Sequence, residues 1–245
     1  MRRPLDWQIA TVKAITPETP RVRTLTLALP DWAPHRPGQH YDLRLTAEDG
    51  YSAQRSYSIA SAPERHDEID LTVERIEDGE VSSYLHDTLV VGDRIEVRGP
   101  IGGYFVWEAA QGGPLLLIAG GSGIVPLMAM LRHRAAAGAA VPARLLYSTR
   151  TFEDIIYRDE LDGLRKKDGP IVFHTLTRSQ PTGWSGYARR IDDAMLKEVS
   201  RPLGGGVRVF ICGPTALVES GANALVRLGI ATERIRTERF GPTGT

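Results

Sequence analysis

Apolar and polar positions alternate through the first part of the chain. Leu25, Leu27 and Leu29 are separated by Thr26 and Ala28, and Ile69, Leu71 and Val73 by Asp70 and Thr72. This is the period of two expected of strands with one buried face. Turn-forming residues divide these stretches: Pro34, Pro37 and Gly38 mark one gap, Gly50 a second, Gly79 a third and Gly92-Asp93 a fourth. No long helical period interrupts them. Short strands at such spacing predict an antiparallel β-barrel.

Beyond Gly112-Gly113 the pattern changes. Four largely apolar runs, Leu115–Ala119, Arg144–Ser148, Ile171–Leu176 and Val207–Cys212, alternate with helical stretches at about Val125–Ala137, Glu153–Lys166 and Thr215–Leu228. Strands that are apolar along their length belong in a parallel sheet covered on both faces. In the last helix Leu217, Gly221, Ala224 and Leu228 fall on one face. The chain therefore reads as two domains, a barrel over residues 1–110 and a Rossmann-like α/β domain over 111–245, with the change between 108 and 114. At 245 residues each half can bury a core of its own.

Composition changes this picture little. With 42% hydrophobic and 24% charged residues and no apolar run near the roughly 20 residues of a membrane span, no membrane partner is expected. The opening MRRPLDWQIA has two arginines but no apolar stretch behind them, so no secretory signal is expected and the cytoplasm is the expected compartment. A single cysteine, Cys212, excludes an internal disulfide and a four-cysteine iron–sulfur cluster in these residues. Net charge is zero, and no nucleic-acid partner is expected. Its distribution is uneven: residues 1–108 hold 12 basic and 18 acidic side chains, and residues 109–245 hold 18 and 12. A positive second half suits a phosphate-rich ligand, although chance scatter of surface charge is an equal reading.

Two segments stand out in that half. Ala119-Gly120-Gly121-Ser122-Gly123-Ile124 follows an apolar strand and opens a helix, where missing Cβ atoms and a helix N-terminus can admit a phosphate. It is not the G-x-G-x-x-G fingerprint, and a glycine-rich turn can be merely a tight connection. Ile211-Cys212-Gly213-Pro214 also ends a strand before a helix, so both loops open at the carboxyl edge where α/β sheets bind ligands. Taken singly, Cys212 is more often a buried small hydrophobe than a reactive thiol. No metal-ligating set is read.

Together with Arg55-Ser56-Tyr57-Ser58 upstream, these segments resemble the ferredoxin–NADP reductase superfamily of flavoenzymes. Six motifs occur in the family's order: Arg55-x-Tyr57-Ser58, Gly79-Glu80-Val81-Ser82-Ser83, Gly99-Pro100-Ile101-Gly102, Gly120 to Pro126, Cys212-Gly213-Pro214 and Glu238-Arg239-Phe240. One alone is weak; six in order over nearly the whole chain are not. The resemblance implies that Arg55 pairs with the flavin phosphates, Tyr57 packs on the isoalloxazine and the Ser58 hydroxyl lies near its N5. Chemistry agrees, since a guanidinium fork suits phosphate and an aromatic ring offers a flat surface. It also puts Val73 at the flavin site and makes Val81, Ser82 and Ser83 the helix start that receives the pyrophosphate; Ser82 equally reads as an ordinary N-cap.

The same resemblance implies NADPH, with NADH possible, across Gly120, Gly121, Ser122, Gly123 and Pro126 and across Cys212, Gly213 and Pro214. Ser148, Arg150, Thr177, Arg178 and Arg189 are the candidates for its 2′-phosphate; Tyr187 and Arg190 lie close by. No carboxylate directly follows the 144–148 strand to favour an unphosphorylated ribose. Cys212 and Glu238 are implied as nicotinamide neighbours and Phe240 as the cover of a flavin face. The implied enzyme passes hydride from NADPH to FAD, or to FMN as the less usual flavin, and then electrons to a separate acceptor, a ferredoxin or another iron–sulfur protein. Two rivals keep the fold: an electron-transfer subunit of a larger complex, and a regulatory nucleotide-binding module without catalysis.

Overall fold

The structure, a computed structural model, describes residues 5–164 and 169–241. Six antiparallel strands come first: β1 (Gln8–Thr19), β2 (Val22–Ala28), β3 (His40–Thr46), β4 (Ser52–Ser58), β5 (Glu68–Glu74) and β6 (Arg94–Ile101). Their order is β4-β3-β6-β1-β2-β5, and an antiparallel bridge from Ile59 to Leu71 joins the two edges just beyond β4. The sheet thus closes as a barrel with few free edges. Pairing of Leu25 with Leu71 and of Leu27 with Ile69 turns the period-two positions of both strands inward together. All four are fully buried, with Tyr41, Leu43 and Val97. Helix α1 (Glu80–Asp87) seats Val81 and Leu85 on that core.

The second part is a parallel sheet of β7 (Leu115–Gly120), β8 (Ala143–Thr149), β9 (Ile171–Leu176), β10 (Arg208–Pro214) and β11 (Ile235–Phe240), in the order β11-β10-β7-β8-β9. Helices α2 (Ile124–Ala136), α3 (Arg158–Gly163), α4 (Asp193–Ser200) and α5 (Thr215–Arg227) cover it. Every residue of the central strand β7 is buried. Leu115, Leu117 and Ala119 pack with α2, whereas Leu116 and Ile118 pack with α4 and α5, as alternate side chains must when both faces are covered.

The helical pattern needs correction in places. The helix expected over Glu153–Lys166 shrinks to α3, and Lys166 itself lies outside the described residues. Asp154 accepts hydrogen bonds from the Thr151 N–H and hydroxyl at 3.1 and 3.2 Å, a local turn that competes with helix. Tyr157 then sits at φ 58°, which no helix contains. In α5 the inward residues are Val218, Gly221, Ala224 and Leu225, with Leu217 and Leu228 only partly buried beside them. Neither α4 nor β11 is evident in the apolar pattern: α4 is one short amphipathic turn pair, and β11 is an edge strand carrying Arg236, Glu238 and Arg239.

The two parts share a seam. Val22, Ala60, Phe105 and Trp107 from the barrel side belong to the same buried cluster as α2 and β7. Polar groups cross it: Arg132 of α2 donates to the Ala60 carbonyl at 2.7 Å and pairs with Glu160 of α3 at 2.5 Å. Its guanidinium lies 4.8 Å over the Tyr157 ring. The Tyr157 hydroxyl hydrogen-bonds Thr72, Thr72 bonds Thr24 at 2.8 Å, and Thr24 donates to Glu18 at 2.6 Å. Burial pushes the carboxyl of Glu18 above its ordinary value. Replacing Arg132 with Met keeps an apolar stem but leaves the Ala60 carbonyl without its charged donor. Urea unfolding is expected to show a loss of about 2 kcal/mol; an unmoved midpoint would assign the seam to apolar packing alone.

Candidate functional site

The carboxyl ends of the central strands meet at the site. Cys212 of β10 stands in register with Ala119 of β7 on one side and Glu238 of β11 on the other. From Gly120 the chain makes one tight turn, Gly121–Gly123, and enters α2. A Cβ on Gly123 would lie 2.1 Å from the Cys212 carbonyl oxygen, so glycine is what lets the two loops touch. Gly121 differs: it lies at φ 53° with nothing within 4 Å of its Cβ position. The open side of the loop is therefore at Gly121, at the start of a 13-residue helix, where a phosphate can meet N–H groups. Packing also requires glycine at Gly120, whose Cβ would strike Leu217 at 2.7 Å, as it does at Gly123. Pro126 sits in the first helical turn, where its missing N–H costs nothing.

The barrel contributes β4. Pairing with β3 sets Ser58 opposite His40 and Ser56 opposite Asp42. A cleft of about 180 Å³ is lined by His40, Ser56, Ser58, Cys212, Glu238, Arg239 and Phe240. Residues predicted from opposite ends of the sequence, Ser58, Cys212, Glu238 and Phe240, thus share one cleft. His40 and Ser56 were not evident, because only the β3–β4 register brings them there. Burial holds His40 below its ordinary value, against the attraction of Asp42. Burial alone would raise Asp42, but hydrogen bonds from Ser56 at 2.6 Å and Arg98 at 2.8 Å outweigh it and hold the carboxyl low.

Cys212 and Glu238 are the perturbed pair. Burial, with the Glu238 carboxylate beside it, pushes the Cys212 thiol well up, so it is protonated at neutral pH. Burial pushes Glu238 up to about 7, and its Oε2 is buried without a hydrogen-bond partner. A protonated thiol is a poor nucleophile. A carboxyl near neutrality can hold or release one proton at the cleft.

Other predicted residues fall around this cleft. Arg55 is exposed and gives one N–H to the Gln54 carbonyl at 2.7 Å. Tyr57 packs half-buried on the barrel core, its phenol pushed up to about 12 by burial. Val73 is fully buried in that core and its carbonyl is hydrogen-bonded to His86 at 3.0 Å, so its side chain does not line the cleft. Ser82 is not the N-cap of α1; Gly79 is. The Ser82 hydroxyl accepts from the Ile76 N–H at 3.1 Å and donates to the Gly79 carbonyl at 3.2 Å. It closes the turn, and with the Ser83 N–H already given to the Gly79 carbonyl at 2.8 Å, the backbone N–H groups of Val81 and Ser82 are what the helix start can offer.

At the far ends of β8 and β9, Thr177 and Arg178 donate their N–H groups to the carbonyls of Thr149 and Arg150 at 3.0 and 2.9 Å. This zipper sets Arg150 beside Arg178, both exposed. Ser148 is nearly buried, and the Thr177 hydroxyl already donates to Thr149 at 3.1 Å. Arg189 is held by Asp192 at 2.6 Å, and Asp192 caps α4 through Met195 at 2.9 Å. Among the described residues, Arg150, Arg178 and the nearby Arg190 are exposed guanidinium groups with no ion-pair partner, able to turn toward a ligand. A larger cavity, about 480 Å³, lies along edge strand β9 among Phe152, His174 and Trp184, away from both loops.

Residues 9–106 match the family of oxidoreductase FAD-binding domains and residues 117–222 that of oxidoreductase NAD-binding domains. "Ferredoxin--NADP reductase B" of Sorangium cellulosum is 37% identical over 241 residues, which cover 94% of this chain and 96% of that protein. The chain belongs to the ferredoxin–NADP reductase family. The reductase is therefore an oxidoreductase that uses FAD and NAD(P). The glycine betaine monooxygenase reductase subunit of Chromohalobacter salexigens is 33% identical over 85% of this chain, which spans only 56% of that protein. The fold matches that of a ferredoxin NADP+ reductase from Neisseria gonorrhoeae with bound FAD and NADP, at a TM-score of 0.82 and 23% identity, over 95% and 98% of the two chains. Among the described residues no helix is long and apolar enough to cross a membrane.

The residues present fit both cofactors. The orphaned Oε2 of Glu238 needs a donor, the exposed guanidinium of Arg55 has N–H groups to spare, and Gly121 leaves open space at a helix start. The raised carboxyl also makes a stability prediction. Because the fold favours the protonated form, its contribution is fully present below the ordinary value of 4.5 and is lost as pH rises through about 7. Glu238→Gln is therefore expected to gain roughly 1 to 3 kcal/mol on the parent between about pH 5 and pH 8 in urea unfolding. Parallel pH curves would mean that the carboxyl stays ionised throughout.

Proposed function

We propose that the reductase takes hydride from NADPH in preference to NADH and passes electrons singly to a separate carrier, a ferredoxin or another iron–sulfur protein. The observation that carries this reading is the single cleft in which Ser58 of the barrel faces Cys212 and Glu238 of the sheet. Bound FAD accepts hydride and can release electrons one at a time. The rest is positioning, which can supply several kcal/mol of the barrier.

On this reading the flavin domain is residues 1–110 and the dinucleotide domain 111–245. Arg55 and the α1 N-terminus neutralise the flavin pyrophosphate, Tyr57 supports the ring system and Phe240 covers one of its faces. Ser58 presents a small hydroxyl that orients the reacting edge without blocking it. The loops at Gly120–Pro126 and Cys212–Pro214 hold the dinucleotide at the sheet edge. Cys212 packs there as a protonated thiol and forms no covalent bond, while Glu238 holds a proton in the cleft. Arg178 and Arg150 meet the 2′-phosphate.

Support for an external carrier comes from the single cysteine, since these residues lack the thiolates for a cluster of their own. The name of the Chromohalobacter relative supports a second reading, a reductase subunit that works inside an oxygenase system; a stable hetero-oligomer on purification favours it. The reduced nicotinamide points to the cytoplasm as the compartment.

The direct test is the absorption spectrum of the purified protein under anaerobic conditions. Oxidised-flavin absorbance should disappear with NADPH and return on adding oxidised ferredoxin; a colourless protein, or a spectrum that NADPH leaves unchanged, refutes the reading. Arg55→Ala is expected to weaken FAD retention about 10- to 150-fold, the equivalent of one charge-assisted contact, as read by flavin released on dialysis. For cofactor choice, Arg178→Ala should lower kcat/KM for NADPH about 10- to 150-fold and leave NADH almost unchanged. Equal losses would move Arg178 to a role that both cofactors share.

A further inference from the structure

The loop from Gly120 to Pro126 contains no lysine or arginine. A charged side chain from the other domain touches its polar residue: Ser122, half-buried, donates its hydroxyl to Glu74 Oε2 at 2.8 Å. Glu74 ends β5 and lies only five positions before Gly79, where the flavin-phosphate turn begins. Among the described residues Glu74 makes no ion pair. Arg75 is held by Asp87 at 2.9 Å, and the guanidinium of Arg23 is turned to the carbonyl of His86.

We propose that Glu74 is an electrostatic brake on dinucleotide binding: through Ser122 its carboxylate stands at the Gly120–Pro126 loop and opposes the pyrophosphate of NADP(H). The proposal deepens the assignment of that loop to the pyrophosphate and rests on it. Two effects act in the same direction. A serine hydroxyl has one proton, and while Glu74 holds it no phosphate oxygen can. Carboxylate and phosphate are both acceptors only, so they cannot bond each other and meet as like charges. Two such charges several ångströms apart in a partly wetted cleft weaken binding about three- to tenfold. The consequence is functional: spent dinucleotide leaves quickly, a step that often limits turnover.

The test is calorimetric titration of NADP+, which cannot reduce the flavin, into the FAD-loaded protein and its variants. Glu74→Gln keeps an oxygen for Ser122 and removes the charge; it should bind NADP+ about three- to tenfold more tightly than the parent at low salt. Raising the ionic strength to about 0.5 M should shrink that ratio, because screening removes what the substitution removed. Glu74→Ala, which also frees the Ser122 hydroxyl, should bind at least as tightly as Glu74→Gln. Unchanged or weaker binding in both variants overturns the brake, and so does a gain that salt does not diminish. Gly121→Asp separates this from the assignment beneath it. Aspartate tolerates φ 53° and puts a carboxylate in the open space of the loop, so NADP+ affinity should fall at least about tenfold. If it does not fall, the loop is not the pyrophosphate site and the brake is overturned with it. If it falls while both Glu74 variants match the parent, only the brake is lost.

Discussion

Arg132 reaches from the first helix of the α/β domain into the barrel, and the chemistry of this reductase depends on that reach. Its guanidinium is tied at once to the Ala60 carbonyl, the Glu160 carboxylate and the face of Tyr157. Ala60 belongs to the barrel side, whereas Tyr157 and Glu160 both belong to the start of α3. Ala60 follows directly on the β4 strand that carries Ser58, and α2 itself begins at the glycine loop. Fixing α2 against Ala60 therefore fixes the distance between β4 and the Gly120–Pro126 loop. The apolar seam around Trp107 supplies area, but area is non-directional; the charged hydrogen bonds supply register.

The cleft formed by that register favours uncharged side chains. Burial keeps the thiol of Cys212 protonated, holds His40 low and brings Glu238 close to neutrality. Arg239 is the charged lining residue, exposed and paired with Glu219 at 2.5 Å, and the carboxyl of Asp42, opposite Ser56 on β3, is held low because Ser56 and Arg98 both donate to it. Few full charges inside means that each remaining dipole acts through a weak dielectric and is correspondingly strong. A small hydroxyl such as that of Ser58 can then orient a bound ring in a way that would be too weak in open solvent.

Much of this was legible in the sequence, for physical reasons that can be named. Period-two stretches around Leu25 and Ile69 specify a barrel because their inward sides are continuous, and the doubly apolar runs around Ile118 and Ile211 specify a covered parallel sheet. Loops at strand ends could be assigned to one edge because parallel strands point the same way. What escaped was set by side chains acting on backbone at short range or across the seam. Asp154 capturing Thr151 stopped a helix that composition alone would extend; the inward Ser82 hydroxyl looked like a cap because its neighbours fit the motif. His40 and Glu74 became visible only through strand register and domain contact, neither of which a linear pattern encodes.

The uneven charge along the chain takes on a spatial meaning once the fold is known. The acidic barrel lends Glu74 to the glycine loop, and the basic α/β domain gathers Arg150 and Arg178 at the ends of β8 and β9. If the dinucleotide lies between them, repulsion acts at the pyrophosphate, a part that NADPH and NADH have in common, and attraction acts at the 2′-phosphate, which only NADPH has. Affinity and selectivity are then governed by different residues some distance apart and with no shared partner, so their energetic effects should be close to additive. Such a division allows a reductase to discriminate strongly between two cofactors while holding neither tightly, because selectivity depends only on the difference between their interactions and not on their sum.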